Sequence, residues 1–145
     1  MLEPYNAFEP LKDEYFTRDN DILLRLSAPY TVALITECFI GLLISSHFAI
    51  IRAESKQVDS RFLYWWLLQN RQKFHKMASG GTMMGTISSG YIRKMLFTPP
   101  PIELQRKIGI LFQLANREQR LLLRFAEVKK RLISGLLQNN FREKN

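Results

Sequence analysis

Short apolar runs rich in Val, Ile, Thr and Phe occupy the first part of the chain, and turn residues separate them. Runs of this length and composition predict β-strands. The expected strands cover residues 22–26, 31–35, 42–45 and 48–52. A membrane span over residues 31–51 is the alternative, but Glu37 and His47 would be costly in the centre of a bilayer, so we expect no membrane partner.

After Ser60 the apolar positions recur every three or four residues, which predicts a helix that ends near Met77-Ala78. Asp59 and Ser60 are both candidates for its N-cap, because each side chain has an oxygen that can accept from the first backbone amides. Trp65 and Trp66 are expected to anchor this helix in the core, since each would bury a large apolar area; base stacking is the alternative for either ring.

Residues 79–90 are the most loop-like stretch and hold four of the seven glycines. Ser88 is expected to cap a short helix that follows the loop. A last short strand is predicted at 95–98, and the three consecutive prolines at 99–101 predict a stiff end to the globular part.

No proline interrupts the chain from residue 102 to about residue 141, and apolar positions there repeat with alternating spacings of three and four. Such spacing predicts a coiled-coil helix about 60 Å long. Its seam contains Glu118 as one polar interruption and otherwise consists of Leu111, Leu114, Leu121, Phe125, Val128 and Leu132. A second apolar stripe beside the seam makes the face wider than a two-stranded pairing needs. We expect this helix to pair with another helix, in parallel or antiparallel orientation.

These patterns predict an α+β protein. A small mixed α/β domain with a twisted sheet is expected over residues 1–98, and the proline stop with the long coiled-coil helix over residues 99–145.

Charge is distributed unevenly. The net charge is +8, yet residues 1–59 carry five Lys/Arg against nine Asp/Glu, whereas residues 60–101 carry six Lys/Arg and no acid. A stretch without any acid indicates a surface that meets phosphate. A solvated basic face without a ligand is the alternative.

Neither histidine has metal-ligand spacing from Cys38 or from a carboxylate, and no phosphate-binding or dinucleotide-binding glycine motif occurs. We therefore predict a protein that is not an enzyme and has no catalytic residue, metal or cofactor. Cys38 is the single cysteine and is expected to be a buried small hydrophobe. The absence of an internal disulfide and of a signal peptide at the start of the sequence favours a cytoplasmic location.

Several segments together resemble a known family. Ala-Ser-Gly-Gly-Thr at 78–82, Ile-Ser at 87–88 and Pro-Pro-Pro-Ile-Glu-Leu-Gln-Arg-Lys-Ile at 99–108 are similar to the specificity subunits of type I restriction–modification systems. Those subunits carry a small-residue loop, a short helix, a proline pair and a helix that opens Leu-Glu-Glu-Gln-Arg-Lys-Ile. Asn-Asp-Ile-Leu at 20–23 is similar to their Gly-Asp-Ile-Leu strand, and residues 62–67 are similar to their Phe-Leu-Tyr-Tyr-Leu-Leu helix.

The resemblance covers residues 15–142 and implies one half of such a subunit, with the start of the recognition domain missing. It implies that the domain reads double-stranded DNA. It also implies that the long helix docks the modification (methyltransferase) subunit, and indirectly the nuclease. The helix is further expected to form a homodimer or to pair with another specificity half.

Small residues that let backbone amides approach phosphate, and cations that bracket them, are the candidates for DNA contact. The candidates are Arg25, Tyr30, Lys76, Ser79, Gly80, Gly81, Thr82, Thr86, Arg93 and Lys94. For each of them, a turn residue or a surface charge is the alternative.

A truncated interaction or decoy protein is the alternative function. It would bind modification or specificity subunits through the helix without reading DNA.

Overall fold

The computed structural model describes residues 11–80, 85–95 and 97–142. Three short antiparallel strands form a sheet in the order β2-β1-β3: β1 is Ile22–Arg25, β2 is Val32–Leu34 and β3 is Phe48–Ile51. The register pairs Ile22 with Leu34 on one side and with Ile51 on the other. Alternate residues of β1 are fully buried, as a strand with one face on the core requires.

Among the described residues, four α-helices follow the sheet: α1 (Ser60–Gln69), α2 (Arg71–Gly80), α3 (Ser89–Lys94) and α4 (Ile102–Arg142). Of the two candidate N-caps, Asp59 caps α1, because its carboxylate accepts from the backbone amides of Arg61 and Phe62, whereas Ser60 is the first residue of the helix. Ser88 caps α3 as predicted, through the Tyr91 amide. The chain therefore has the predicted mixed α/β architecture with a long C-terminal helix.

One continuous helix was expected where α1 and α2 lie, but the helix breaks at Asn70. The Asn70 side-chain amide donates to the Trp66 carbonyl over 2.8 Å, and its backbone amide donates to the same carbonyl over 3.1 Å. A side chain that bonds its own helix backbone in this way competes with continuation of the helix. Trp66 packs against the core as expected, edge-on to Phe97 with ring centroids 4.9 Å apart.

Two predicted strands are wrong. Residues 42–45 form only an isolated bridge between Leu43 and Phe16, with one backbone hydrogen bond on either side, from the Thr17 amide to the Leu42 carbonyl and from the Ile44 amide to the Tyr15 carbonyl. Of the predicted strand at 95–98, the described residues are not in a strand, and the Phe97 ring packs on Phe62 and Trp66 instead.

Cys38 was also predicted wrongly, since it is exposed in a short 3-10 turn at Glu37–Phe39. The apolar residues beside it, Phe39 and Ile40, are about half exposed as well, so this stretch lies on the surface despite its composition.

The core joins the sheet to the helices. Its buried members come from β1, the β1–β2 turn, β2, α1, α2 and the segment before α3: Ile22, Leu24, Tyr30, Val32, Leu63, Leu67, Phe74 and Ile87. Asp21 is buried beside it and its carboxylate receives the Arg52 guanidinium at 3.0 Å. Asn20 has a left-handed backbone with φ of 64°, which fits the glycine that the resembling strand carries at this position.

The chain divides into two compact units, the first ending at Gly109 and the second beginning at Ile110. The first two turns of α4 therefore belong with the sheet, although the domain boundary was expected between residues 98 and 99. In the described part of the chain, no helix is long and apolar enough to span a membrane.

Candidate nucleic-acid interface

The turn between β1 and β2 contacts the segment that follows the glycine-rich stretch. Ser27 and Thr86 form an antiparallel bridge, and the Ile87 amide donates to the Leu26 carbonyl over 2.7 Å. Ile87 is 4% exposed, so its side chain holds this segment in the core. Two parts of the sequence that were both expected to contact DNA are thus brought side by side.

Tyr30 does not lie on the surface where a DNA contact was expected. It is 2% exposed, its hydroxyl donates to the Gly85 carbonyl, and its ring lies 6.5 Å from the Phe74 ring. Gly85 has a positive φ of 66°, a backbone conformation that glycine adopts without strain. Tyr30 therefore holds the backbone at Gly85 and is too deeply buried to contact a base.

Arg71 was not among the predicted site residues, yet it ties α2 to the same turn. Its Nη2 donates to the Pro29 carbonyl over 3.2 Å. Its Nε is enclosed and has no hydrogen-bond partner among the described residues. Charge alone could not identify Arg71, because in an acid-free segment an arginine that holds the fold and an arginine that binds a ligand look alike in the sequence.

The remaining predicted cations are exposed. Arg25 ends β1, Lys76 lies on α2, and Arg93 and Lys94 form the last turn of α3. Both helices pack against the same core, α2 through Phe74 and α3 through Ile92 and other apolar residues. Thr86 is exposed too, beside the β1–β2 turn.

The structure differs from the expected loop at its start. Ser79 and Gly80 lie in the last turn of α2 instead of in a loop, because the helix continues beyond Ala78. The predicted contacts at Gly81 and Thr82 lie outside the described residues.

Gln105 anchors the start of α4 to the first unit. It is 1% exposed, its Oε1 accepts from the Asp59 amide at 3.0 Å, and its Nε2 donates to the carbonyls of Gln57 and Pro100 at 3.1 and 2.7 Å. Every polar atom of this buried amide therefore has a partner. Sequence reasoning missed Gln105, since a glutamine at a helix start gives no local sign of burial.

One turn further on, Gly109 lies against the N-terminus of α1. A Cβ at this position would lie 2.8 Å from the Arg61 Cβ and 3.0 Å from the Asp59 Oδ1 and the Phe62 nitrogen. Only a residue without a side chain fits such a close approach. Gln105 and Gly109 together form what we call the α4 joint.

Asp59 is the charged group in contact with the α4 joint. Burial alone would raise the pKa of its carboxyl, but hydrogen bonds from the Arg61 side chain and from the Phe62 and Arg61 amides, with the Arg61 charge, lower that pKa below its ordinary value of 3.8. The Arg61 Nη2 lies 2.7 Å from the Asp59 Oδ2, and this bond raises the pKa of Arg61. The carboxylate therefore remains charged and keeps capping α1.

Beyond the α4 joint, the predicted seam residues are all exposed, between 55% and 69%: Leu111, Leu114, Leu121, Phe125, Val128 and Leu132. In the described part of the isolated chain, nothing covers the side chains of these six residues.

The comparisons with known proteins agree with the fold. No protein-family model matches the chain, and no curated protein matches it. Among the solved structures that match, one is a chain from a study of complex assembly and conformational transition of the type I R-M system, with 22% identity and a TM-score of 0.59 over 79% of this chain. Another is the HsdS subunit from Thermoanaerobacter tengcongensis, with 23% identity and a TM-score of 0.60 over 83% of this chain.

This chain covers 31% and 32% of those two chains, so it spans about a third of their length. At this level of identity the likeness shows the fold. The predicted resemblance to type I specificity subunits is confirmed in that sense, with a three-stranded antiparallel sheet followed by a long C-terminal helix.

Proposed function

We propose that this chain is the DNA-reading and partner-docking part of a type I restriction–modification specificity subunit. It binds double-stranded DNA through its first unit and docks the methyltransferase subunit through α4. It carries no catalytic step of its own, so methyl transfer takes place on the docked subunit. The fold shared with an HsdS subunit supports this assignment.

The observation that carries the DNA-binding role is the stretch of residues 60–101, which holds six cations and no acid. Lys76, Arg93 and Lys94 are exposed on two helices that pack against one core. Clustered cations without acids attract the phosphate backbone and release its counterions.

Sequence reading needs contacts to base edges as well as to phosphates. Arg25 is the candidate for this contact, because it is exposed at the end of β1 and an arginine can donate two hydrogen bonds to a guanine edge. Thr86 offers a small donor beside the β1–β2 turn. Tyr30 and Arg71 support both from within, since each bonds a carbonyl of the turn or of the loop.

A titration of DNA with a triple variant tests the DNA-binding role. Lys76→Ala, Arg93→Ala and Lys94→Ala together should reduce the slope of log affinity against log salt by roughly one per lost phosphate contact. The matched control replaces three exposed cations of the acidic part, Lys12, Arg18 and Lys56, and should leave the slope unchanged. Equal effects of the two triple variants would overturn the assignment of this surface.

A second function is favoured by the exposed apolar face of α4, which requires no DNA. In it the chain is an interaction or decoy protein that occupies modification or specificity subunits without reading DNA. A stable complex with a type I modification subunit that never retains DNA at low salt would identify this second function.

A further inference from the structure

One row of side chains crosses the outer face of the sheet at the end of β1. Arg25 lies opposite Phe48 in the register with β3, and its backbone amide donates to the Thr31 carbonyl over 2.8 Å. Directly opposed residues of antiparallel strands project from the same face of a sheet, with Cβ atoms about 5 Å apart. This face is the opposite of the one that buries Ile22 and Leu24 in the core. We call Thr31, Arg25 and Phe48 the sheet row.

The sheet row is accessible and its arginine is unpaired. All three members are exposed, and Phe48 is 38% exposed although it is a large apolar residue. Within the three strands, Arg25 is the only charged residue. In the described part of the chain, its side chain forms no ion pair and no hydrogen bond, and its guanidinium does not lie over the Phe48 ring. A cation and an apolar ring therefore lie side by side, each available to a ligand.

The sheet row continues the surface that is proposed to contact DNA. Two residues after Arg25, Ser27 forms the antiparallel bridge with Thr86. At the other end of β1, Asp21 is buried and paired with Arg52, so its charge is compensated. The charge of the row is therefore positive, and it adjoins residues 60–101, which hold no acid. DNA fits such a surface better than a basic or a purely apolar partner does.

We propose that the sheet row reads two adjacent base pairs in the major groove, a G·C pair through Arg25 and an A·T pair through Phe48. The inference rests on the proposed DNA-reading role and adds which bases are read. An arginine donates two hydrogen bonds to O6 and N7 of guanine, and a phenyl ring contacts the methyl group of thymine. Successive base pairs lie about 3.4 Å apart along the helix axis, within reach of two side chains that begin about 5 Å apart.

Selection from random-sequence duplex DNA by the full chain tests this inference. The wild-type chain should enrich sites in which a G·C pair adjoins an A·T pair, and Arg25→Ala should reduce the preference for guanine by at least about fivefold. Replacing the thymine of that A·T pair by deoxyuridine removes only a methyl group. This exchange should weaken binding by the wild-type chain about fourfold. Phe48→Ala should bind both duplexes alike, since it has no ring to contact the methyl group.

The control is Phe39→Ala, because Phe39 is an exposed phenylalanine outside the sheet. It should keep the wild-type response to deoxyuridine. The exchange changes only the DNA, so a misfolded variant cannot imitate its effect on the wild-type chain. Enriched sites without this pair of bases, or an equal effect of deoxyuridine on the wild-type chain and on Phe48→Ala, would overturn the inference and leave DNA reading intact. If the wild-type chain enriches no sequence, the DNA-reading role itself fails, and the inference fails with it.

Discussion

The two units of the chain use apolar residues in opposite ways. The unit that ends at Gly109 buries Ile22, Leu24 and Phe74 completely and gives its buried Gln105 a hydrogen bond at every polar atom. The helix from Ile110 onward leaves Leu111 and Phe125 more than 60% exposed. The first unit thus has a packed core of its own, whereas the second leaves its large apolar side chains uncovered.

The largest effect is expected from charges placed in the seam. Leu121→Glu and Val128→Glu together should weaken binding of a type I modification subunit by more than about a hundredfold, because two carboxylates would be buried in an apolar contact. Calorimetric titration measures this. The unfolding free energy of the first unit should stay within about 0.5 kcal/mol, since both side chains are more than half exposed.

The matched control for the seam is Ser134→Glu, at an exposed position outside the seam. It should bind the modification subunit as the wild-type chain does. Full binding by the double seam variant would mean that the partner uses another face of α4.

The next prediction concerns the α4 joint. It is a change in the free energy of unfolding of the chain alone, with no partner present. Gln105→Leu would leave the Asp59 amide and the carbonyls of Gln57 and Pro100 without partners, at a cost of about 2–3 kcal/mol in urea unfolding. Gln113→Leu, on the exposed part of the same helix, should cost less than about 0.5 kcal/mol. Equal costs would mean that the joint does not hold α4.

The two glycines of α4 should respond with opposite signs. Gly135→Ala should stabilise the chain by about 0.5–1 kcal/mol, because nothing lies within 4 Å of the added methyl group and alanine favours a helix. Gly109→Ala should destabilise by about 1–2 kcal/mol despite the same propensity gain, because its methyl group would collide with Arg61. Urea unfolding of both variants measures these changes in free energy. A stabilising Gly109→Ala would contradict the close approach of Gly109 to the start of α1.

The last prediction concerns the Asp59 cap and depends on pH. Because the pKa of Asp59 is lowered on folding, its contribution is complete above its ordinary value of 3.8 and is lost as the pH falls through the lower folded value. Asp59→Ala should therefore cost about 1 kcal/mol at neutral pH and flatten the acid dependence of unfolding. Asp13→Ala, an exposed acid, is the control and should change neither.

The sequence predicted those helices and strands that depend on residues close together in the chain. Short apolar runs between turn residues gave β1 and β3 to within a residue at each end, capping chemistry gave Asp59 and Ser88, and the spacing of apolar positions by three and four gave α4. The candidate site was less predictable because its arrangement depends on distant pairs. Tyr30 is buried, and its hydroxyl donates to the Gly85 carbonyl. The spacing of apolar residues in either segment does not predict this contact.

The same reason explains what was missed at the α4 joint. The close approach at Gly109 is set by where α1 begins, and a glycine inside a helical pattern carries no such information by itself. The seam, in contrast, stays a prediction from spacing, and the structure adds that its apolar residues are exposed in the isolated chain.

The most direct test of the account is a DNA titration of the full chain at two salt concentrations, with and without a type I modification subunit. The account predicts DNA binding that tightens when the subunit is added and weakens steeply with salt. Formation of the complex with no retention of DNA at low salt would contradict the DNA-reading role and leave α4 as the functional part of the chain.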